Sequence, residues 1–328
     1  MNIKNIKILI TGGAGFIGSN LVKRLVKEGS NIYVIDNLWR GFIDNLKDDN
    51  DKMIIPEDHF CNVDLTNNIE TLKIISNFDI VINLADIVAG IEYVFNNEQY
   101  VFRQNILINS NVLNACIVNN IKNYIYVGTA CSYPKSLQMS NEPKVFLEDD
   151  VYPALPESSY GWSKLLGEYE ASLSNNLLNV GILRFHNVYG PHSYYQDDKS
   201  QVIPSLIKRC INYTNGDFVV WGSGNQSRDF IFIDDVVDSI CLLIEKGMNK
   251  GVIQIGSGES TSIKNLIDKI IKISNKDIKP IFDLSKPEGD KGRISNCKKA
   301  NEILNWYPKV KIDDGLKITY KWLNKKIK

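Results

Sequence analysis

A doubly wound parallel α/β sheet is the fold class this sequence predicts, and three observations predict it. Short apolar strands alternate with helix-length segments from Ile6 to Phe185. A glycine-rich turn joins the first strand to the first helix. The polar and chemically active residues gather where strands end, and an open parallel sheet binds its ligands at the carboxyl ends of its strands.

The first strand is read at Ile6–Ile10, a run of β-branched and apolar residues without polar alternation, as suits a strand covered on both faces. Thr11-Gly12-Gly13-Ala14-Gly15-Phe16-Ile17-Gly18 follows at once. Ser19 to Glu28 then shows helical periodicity through Leu21, Val22, Leu25 and Val26 and stops at Gly29. Glycines at 12, 15 and 18 permit a tight turn and a close backbone approach. The helix N-terminus offers free N–H groups to a pyrophosphate, and Phe16, Ile17 and Gly18 are expected in the cofactor site.

A second strand, Asn31–Ile35, ends in Asp36, with Asn37 and Leu38 next. An acid about 20 residues past the glycine turn accepts hydrogen bonds from ribose hydroxyls and repels a 2′-phosphate. NAD is therefore expected as cofactor, rather than NADP. Val63-Asp64-Leu65 is expected beside the adenine. The third strand, Asp79–Leu84, breaks at Ala85-Asp86-Ile87-Val88-Ala89-Gly90, which places Leu84 and Ala85 in the cofactor site. A long helix is read at Asn105–Val118, and further strands at Tyr124–Val127 and Asn179–Phe185.

Regular alternation stops after Arg184-Phe185-His186-Asn187-Val188-Tyr189-Gly190-Pro191-His192. A loop from Ser193 to Gln201, a helix from Pro204 and the segment Val219–Gly224 make a smaller, less regular α/β region. Residues 229–253 are expected to return to the first domain. This divides the chain into a cofactor domain, 1–188 with 229–253, and a substrate domain, 189–228 with 254–328. The segment Lys286-Pro287-Glu288-Gly289-Asp290-Lys291-Gly292-Arg293 is expected to cap the cleft between them.

Composition narrows the partners. Lys and Arg total 38, as do Asp and Glu, so no long-range field invites nucleic acid or an anionic membrane. Two arginines from separate segments, Arg228 and Arg293, suit bidentate binding of a diphosphate. Six cysteines stand without CxxC spacing, and His59, His186 and His192 lack metal-ligand spacing, so no metal is expected. No apolar run reaches the ~18 residues of a membrane span, and the N-terminus does not read as a signal peptide. A cytoplasmic protein is expected.

The chemistry is read from Ser159-Tyr160-Gly161-Trp162-Ser163-Lys164. Residues four apart share a helix face, so the Tyr160 phenol and the Lys164 ammonium point the same way. Tyrosine ionises near pH ~10, and an adjacent cation is expected to favour the phenolate. Thr129, at a strand end, supplies the usual third member of such a site.

These residues together resemble the extended short-chain dehydrogenase/reductase family, and within it the nucleotide-sugar epimerases and dehydratases. The likeness rests on TGGAGFIG at 11–18, Asp36, Thr129, Tyr160 with Lys164, RFHNVYGP at 184–191 and WGSGNQSRDFIFIDD at 221–235. It implies a Rossmann-type domain holding NAD, a smaller nucleotide-sugar domain, and a homodimer joined by a four-helix bundle from helices 105–118 and 160–173. GDP-mannose 3,5-epimerases are most similar, on ACSYP at 130–134 and the tail to Asn305-Trp306-Tyr307-Pro308, with GDP-fucose synthases next. Both imply Cys131 as an acid/base group. The second group is His192, by the fucose-synthase pattern, or Lys199, by the 3,5-epimerase pattern. Asn187 and Val202 are implied as substrate contacts and Trp221 as a wall of the base pocket.

Two departures narrow the reading. The Asp-Glu pair of 4,6-dehydratases is replaced by Ala130-Cys131. Fucose synthases use NADP and lack the acid at Asp36. The expected reaction is transient oxidation at C4 of a GDP-sugar, epimerisation at C3 or C5, and re-reduction. The alternatives are a fucose-synthase-like epimerase-reductase and a 4-epimerase of a UDP-sugar.

Overall fold

Lys7–Thr11 is buried on both faces, with Ile8, Leu9 and Ile10 at 1% exposure or less, and a sheet covered by helices on each side is built around it. The computed structural model describes residues 3–140, 142–197, 199–286 and 291–328. The chain runs β1 (Lys7–Thr11), α1 (Phe16–Lys27), β2 (Asn31–Ile35), β3 (Phe60–Cys61), α2 (Asn68–Ile74), β4 (Ile80–Asn83), α3 (Ile91–Asn96) and α4 (Glu98–Val118). Next come β5 (Asn123–Thr129), β6 (Lys144–Phe146), α5 (Ser159–Leu173), β7 (Asn179–Phe185), β8 (Asn187–Tyr189), α6 (Val202–Asn212) and β9 (Phe218–Trp221). Then follow β10 (Ser227–Arg228), β11 (Phe230–Phe232), α7 (Ile233–Leu242), β12 (Val252–Ile255), β13 (Thr261–Ser262) and α8 (Ile263–Ser274). The chain ends with β14 (Pro280–Asp283), β15 (Arg293–Ser295), α9 (Lys298–Leu304) and α10 (Ile312–Ile327).

Seven strands form the main sheet in the order β3-β2-β1-β4-β5-β7-β12, all parallel. Strand order reverses between β1 and β4, and a cleft opens there at the carboxyl ends. Successive side chains of a strand point to opposite faces. Ile8 and Ile10 accordingly pack with Leu21 and Leu25 of α1 and Val236 and Ile240 of α7, while Leu9 packs with Val112 and Cys116 of α4. The first of these cores continues without a break into α8 and α10 through Leu266, Ile270, Leu316 and Leu323. β12 ends at Ile255, two residues past the expected limit of the returning segment.

α4 starts at Glu98, seven residues before the start read from the sequence. Glu98, Gln99, Tyr100, Phe102 and Arg103 are exposed and only Val101 is buried there, so this turn carries no apolar stripe to read. The tail at 305–308 is bound to α7: Trp306 Nε1 donates to Asp235 O at 2.9 Å. The Asp235 carboxylate accepts the backbone N–H groups of Lys309 and Val310, each at 3.0 Å.

A buried ion pair ties α5 to the sheet. Arg184 of β7 meets Glu168 of α5 through two bonds, Nε–Oε2 at 3.1 Å and Nη2–Oε1 at 2.6 Å. Arg184 also donates to Tyr133 Oη at 3.0 Å and Glu148 O at 2.8 Å, so four of its five N–H donors are used. A buried charge left without its partner is strongly destabilising, by roughly 3–5 kcal/mol. Glu168→Leu should therefore lower unfolding free energy by about that amount in chemical denaturation. Glu168→Leu combined with Arg184→Met should recover much of the loss, because no unpaired charge remains.

Candidate active site

The cleft has a volume of about 760 Å³ and runs from the glycine turn to the second region. Gly12 has φ of +67°, and a Cβ there would stand 2.9 Å from the backbone of Leu84 and Ala85. A Cβ on Gly18 would meet Gly12 O at 2.2 Å. These glycines bring the turn, β4 and the start of α1 into backbone contact. No side chain caps α1, so its first-turn N–H groups remain for a ligand.

Asp36 is 8% exposed. Its Oδ2 accepts Ala14 N at 3.0 Å and its Oδ1 accepts Leu38 N at 2.8 Å. Burial raises its pKa, and the backbone bonds oppose that rise. A carboxylate has about four lone-pair sites, so acceptor capacity remains for a ribose hydroxyl. Gly15, Phe16, Ile17 and Asn37 line the cleft with it. Asp64, Leu65, Leu84 and Ala85 close the same end, and Asp64 also holds its own turn by accepting Thr66 N at 2.9 Å. Uncapped helix start, close-fitting glycines and a buried acid together fit an NAD dinucleotide.

At the centre stand Thr129, Cys131, Tyr160 and Lys164. Thr129 ends β5, and its Oγ1 accepts Cys131 N at 3.2 Å, which turns the thiol into the cleft. Ser158 caps α5 by accepting Gly161 N at 3.2 Å. A Cβ on Gly161 would lie 2.3 Å from Cys131 O, so a glycine beside Tyr160 lets the helix start meet the β5 exit.

The expected effect of Lys164 on Tyr160 is corrected here. Tyr160 Oη donates to Asp86 Oδ2 at 3.2 Å, and Lys164 Nζ lies 3.4 Å from the same oxygen. Burial first, and the Asp86 charge next, hold the Tyr160 phenol well above its ordinary range. Lys164 is 2% exposed with its Nζ 4.8 Å from the Tyr126 ring centre, and burial lowers its pKa. The ammonium spends its charge on a carboxylate that the spacing of Tyr160 and Lys164 does not reveal.

The second region supplies the other wall. Asp229 binds β15 and the 257–258 turn, accepting Ser295 N at 2.9 Å, Ser257 N at 2.6 Å and Gly258 N at 3.1 Å. This sets Arg293 against the catalytic centre. Its Nη2 reaches Cys131 Sγ at 3.5 Å and its Nη1 reaches Gln138 Oε1 at 2.7 Å. Arg228, Val202 and Trp221 line the cleft farther along, with Trp221 40% exposed and Lys286 Nζ 5.4 Å from its ring centre. Asn187 begins β8, and its buried Oδ1 has no hydrogen-bond partner among the described residues. Pro287, Glu288, Gly289 and Asp290 of the expected cap lie outside the described residues.

His192 and Lys199 are not placed alike. His192, at φ +70°, has Nε2 2.8 Å from Lys23 Nζ and Nδ1 3.0 Å from Asn45 Oδ1, with its ring beside Trp322. Burial, with Lys23 adding to it, pushes its pKa down to about 3. Lys199 Nζ lies 4.9 Å from the ring centre of Trp39, on the loop after β2. Asp86 and Arg40 are the cleft residues that sequence reasoning missed. Both follow strands of a parallel sheet, where ligand groups are expected, and that was their signal. Among the described residues no cluster of metal ligands occurs.

The comparisons agree with this geometry. The pattern of the NAD dependent epimerase/dehydratase family matches residues 8–256. GDP-mannose 3,5-epimerase of Arabidopsis thaliana is 33% identical over 99% of this chain and 84% of its own. The structure of UDP-glucose 4-epimerase from Thermotoga maritima with UDP-glucose superposes with a TM-score of 0.83 at 27% identity, covering 98% of this chain and 99% of that one. A mutant UDP-glucuronic acid 4-epimerase from Bacillus cereus, in complex with a fluorinated UDP-sugar and NAD, has a TM-score of 0.78 at 27% identity, covering 98% and 100%.

A neutral His192 has a consequence for stability. Its folded pKa of about 3 lies below the ordinary ~6.5, so below pH ~6.5 the unfolded chain binds a proton that the folded chain does not. Stability is then full above pH ~6.5 and falls by up to about 1.4 kcal/mol per pH unit as pH drops towards the folded value. In His192→Asn the pH dependence of the denaturation midpoint between pH ~6 and ~4 should flatten by about one proton. An unchanged slope would show that His192 does not carry it. By its sequence and its cleft, the chain belongs to the NAD dependent epimerase/dehydratase family and is an NAD-dependent enzyme of the nucleotide-sugar epimerase kind.

Proposed function

We propose that the enzyme epimerises a GDP-sugar at C3, C5 or both through a transient 4-ketone. The observation that carries this reading is Cys131, one residue past the Thr129–Ala130 step, with an arginine donor on its sulfur. A plain 4-epimerase has no use for a thiol there. NAD held by the glycine turn and Asp36 would supply the acceptor for the C4 hydride and its later return. Tyr160 in its phenolate form takes the C4 hydroxyl proton, and Thr129 hydrogen-bonds the same oxygen. Lys164 holds the nicotinamide ribose.

A ketone at C4 acidifies the protons on C3 and C5, because the carbanion is delocalised as an enolate. Cys131 moves one of these protons on one face of the ring, and a second group serves the opposite face. His192 keeps that role only if Lys23 and Asn45 release its nitrogens, and Lys199 only if its chain leaves Trp39. Arg228 is assigned to the diphosphate, Trp221 and Val202 to the base, and the free acceptor of Asn187 to the sugar. The GDP assignment is supported by the 33% identity to a GDP-mannose 3,5-epimerase across nearly the whole chain. A 4-epimerase of a UDP-sugar is the second reading, favoured by the likeness to the Thermotoga maritima structure.

Two copies are proposed to pair through α4 and α5. Tyr100 and Phe102 on α4, and Leu166, Tyr169 and Leu173 on α5, are between 37% and 64% exposed. Exposed apolar surface of this kind marks an association site. Tyr169→Glu with Leu173→Glu should give a monomer in sedimentation analysis, and an unchanged mass would refute the interface.

Run in D2O with the right GDP-sugar, the reaction should place deuterium at C3 or C5 and none at C4. Cys131→Ala should lose that label yet still show transient NADH absorbance. Tyr160→Phe should lose hydride transfer altogether. A product inverted at C4 and labelled nowhere would leave the 4-epimerase reading in place.

A further inference from the structure

A half-buried guanidinium stands at the end of the cleft proposed for the base. Arg209 lies on α6, seven residues after Val202 and three after Leu206, so the three side chains share one helix face. All three line the cleft, and β9 adds Val220 and Trp221 to the same lining. Burial lowers the pKa of Arg209, and among the described residues no carboxylate offsets that burial.

The guanidinium is held at two points. Nη2 donates to the carbonyl of Val219, and the central carbon lies over the Phe218 ring, 4.3 Å from its centre. Stacking occupies a face of the group and leaves its edge, where the N–H donors lie in one plane. Arginine has five such donors, and the Val219 carbonyl takes one. A partly desolvated cation with donors to spare is costly unless a ligand brings acceptors to it.

Bases differ in what they offer to such an edge. Guanine carries two adjacent acceptors, O6 and N7, which a guanidinium meets with two parallel bonds. Adenine sets an amino donor beside N7, and cytosine has an amino donor where uracil has O4. Uracil and thymine present O4 with no second acceptor next to it on that edge. Guanine alone satisfies two donors of one arginine.

We propose that Arg209 is the residue that selects guanine, by donating two hydrogen bonds to O6 and N7 of a base lying along α6. The proposal rests on the reading of the substrate as a nucleotide sugar whose base lies by Val202 and Trp221, and it gives a physical reason for GDP over UDP.

The test uses nucleoside diphosphates as probes in calorimetric titration of the NAD-loaded protein, so no turnover is needed. GDP should bind about tenfold or more tightly than UDP or ADP. Inosine diphosphate keeps O6 and N7 and lacks only the 2-amino group, so it should bind as GDP does. 7-Deaza-GDP lacks N7 as an acceptor and should bind about fivefold or more weakly than GDP. In Arg209→Met, which keeps an unbranched side chain over Phe218, GDP and 7-deaza-GDP should bind alike. Arg209→Lys keeps the charge without the paired donors and should lose the selection too. UDP affinity should hold in both variants, which a collapsed pocket would not allow. Selection kept in full by Arg209→Lys overturns the proposal. Weak binding of inosine diphosphate with full binding of 7-deaza-GDP overturns it as well, since the base is then read at its other edge. Where the variants do not fold, wild type decides alone: equal binding of GDP and 7-deaza-GDP refutes the role. If guanine is selected through Arg209 and no GDP-sugar is epimerised, the reading of the reaction fails and Arg209 keeps its role. If a GDP-sugar is epimerised while 7-deaza-GDP binds as tightly as GDP, the reaction stands and Arg209 loses its role.

Discussion

The approach of α5 to β5 is the constraint on which the active centre depends. A helix that presents Tyr160 and Lys164 to a strand end ordinarily stands off by the width of its side chains. Here Gly161 and Gly167 remove that width: a Cβ on the first would meet Cys131 O at 2.3 Å, and on the second Tyr126 Oη at 2.5 Å. Each glycine in a helix interior costs about 1 kcal/mol relative to alanine. Packing and the buried Arg184–Glu168 pair offset it. Gly128 belongs to the same device, since a Cβ there would stand 2.9 Å from Glu168 Oε2. Sequence that reads as weak helix is therefore what sets the distance between the phenol, the threonine and the thiol.

Charge is arranged locally in a protein whose formal net charge is zero. Buried cations meet partners inside the protein: Lys164 meets Asp86, Arg184 meets Glu168, and Arg293 meets Gln138 and the Cys131 sulfur. An anionic substrate is then drawn by few groups, and those groups have competing internal bonds. Binding exchanges one set of partners for another, so affinity follows the difference between the two sets rather than their sum.

Strands and the glycine turn were legible because their signals are local. Asn31–Ile35 and Asn179–Phe185 were read to the residue, since a parallel strand buried on both faces is a plain apolar run between polar ends. α4 was read short because its first turn, Glu98 to Arg103, is exposed apart from Val101 and carries no apolar stripe. In the site, the cofactor end was legible for the same reason: turn, helix start and Asp36 are consecutive along the chain. What escaped was long-range. Asp86 stands 74 residues before Tyr160 in sequence, and its contact appears only once β4 and α5 are placed side by side. Arg293 was read as a diphosphate ligand, and nothing near it in sequence announces that Asp229, 66 residues before Ser295, pins its strand beside Cys131.

The acid at the end of β2 shows how far one residue can serve fold and chemistry together. Asp36 holds Ala14 N and Leu38 N, so the glycine turn and the loop after β2 are fastened to the same carboxylate. A ribose bound by the remaining acceptor capacity would close a network that already exists without it. Loss of this acid therefore weakens two things at once, the acceptor for the ribose and the shape of the pyrophosphate turn. That coupling suits an enzyme whose cofactor completes a full cycle in place. A cofactor consumed and exchanged at every turnover calls for a site that opens. One that lends a hydride and receives it back is served by a site whose walls are bonded to each other as well as to the ligand.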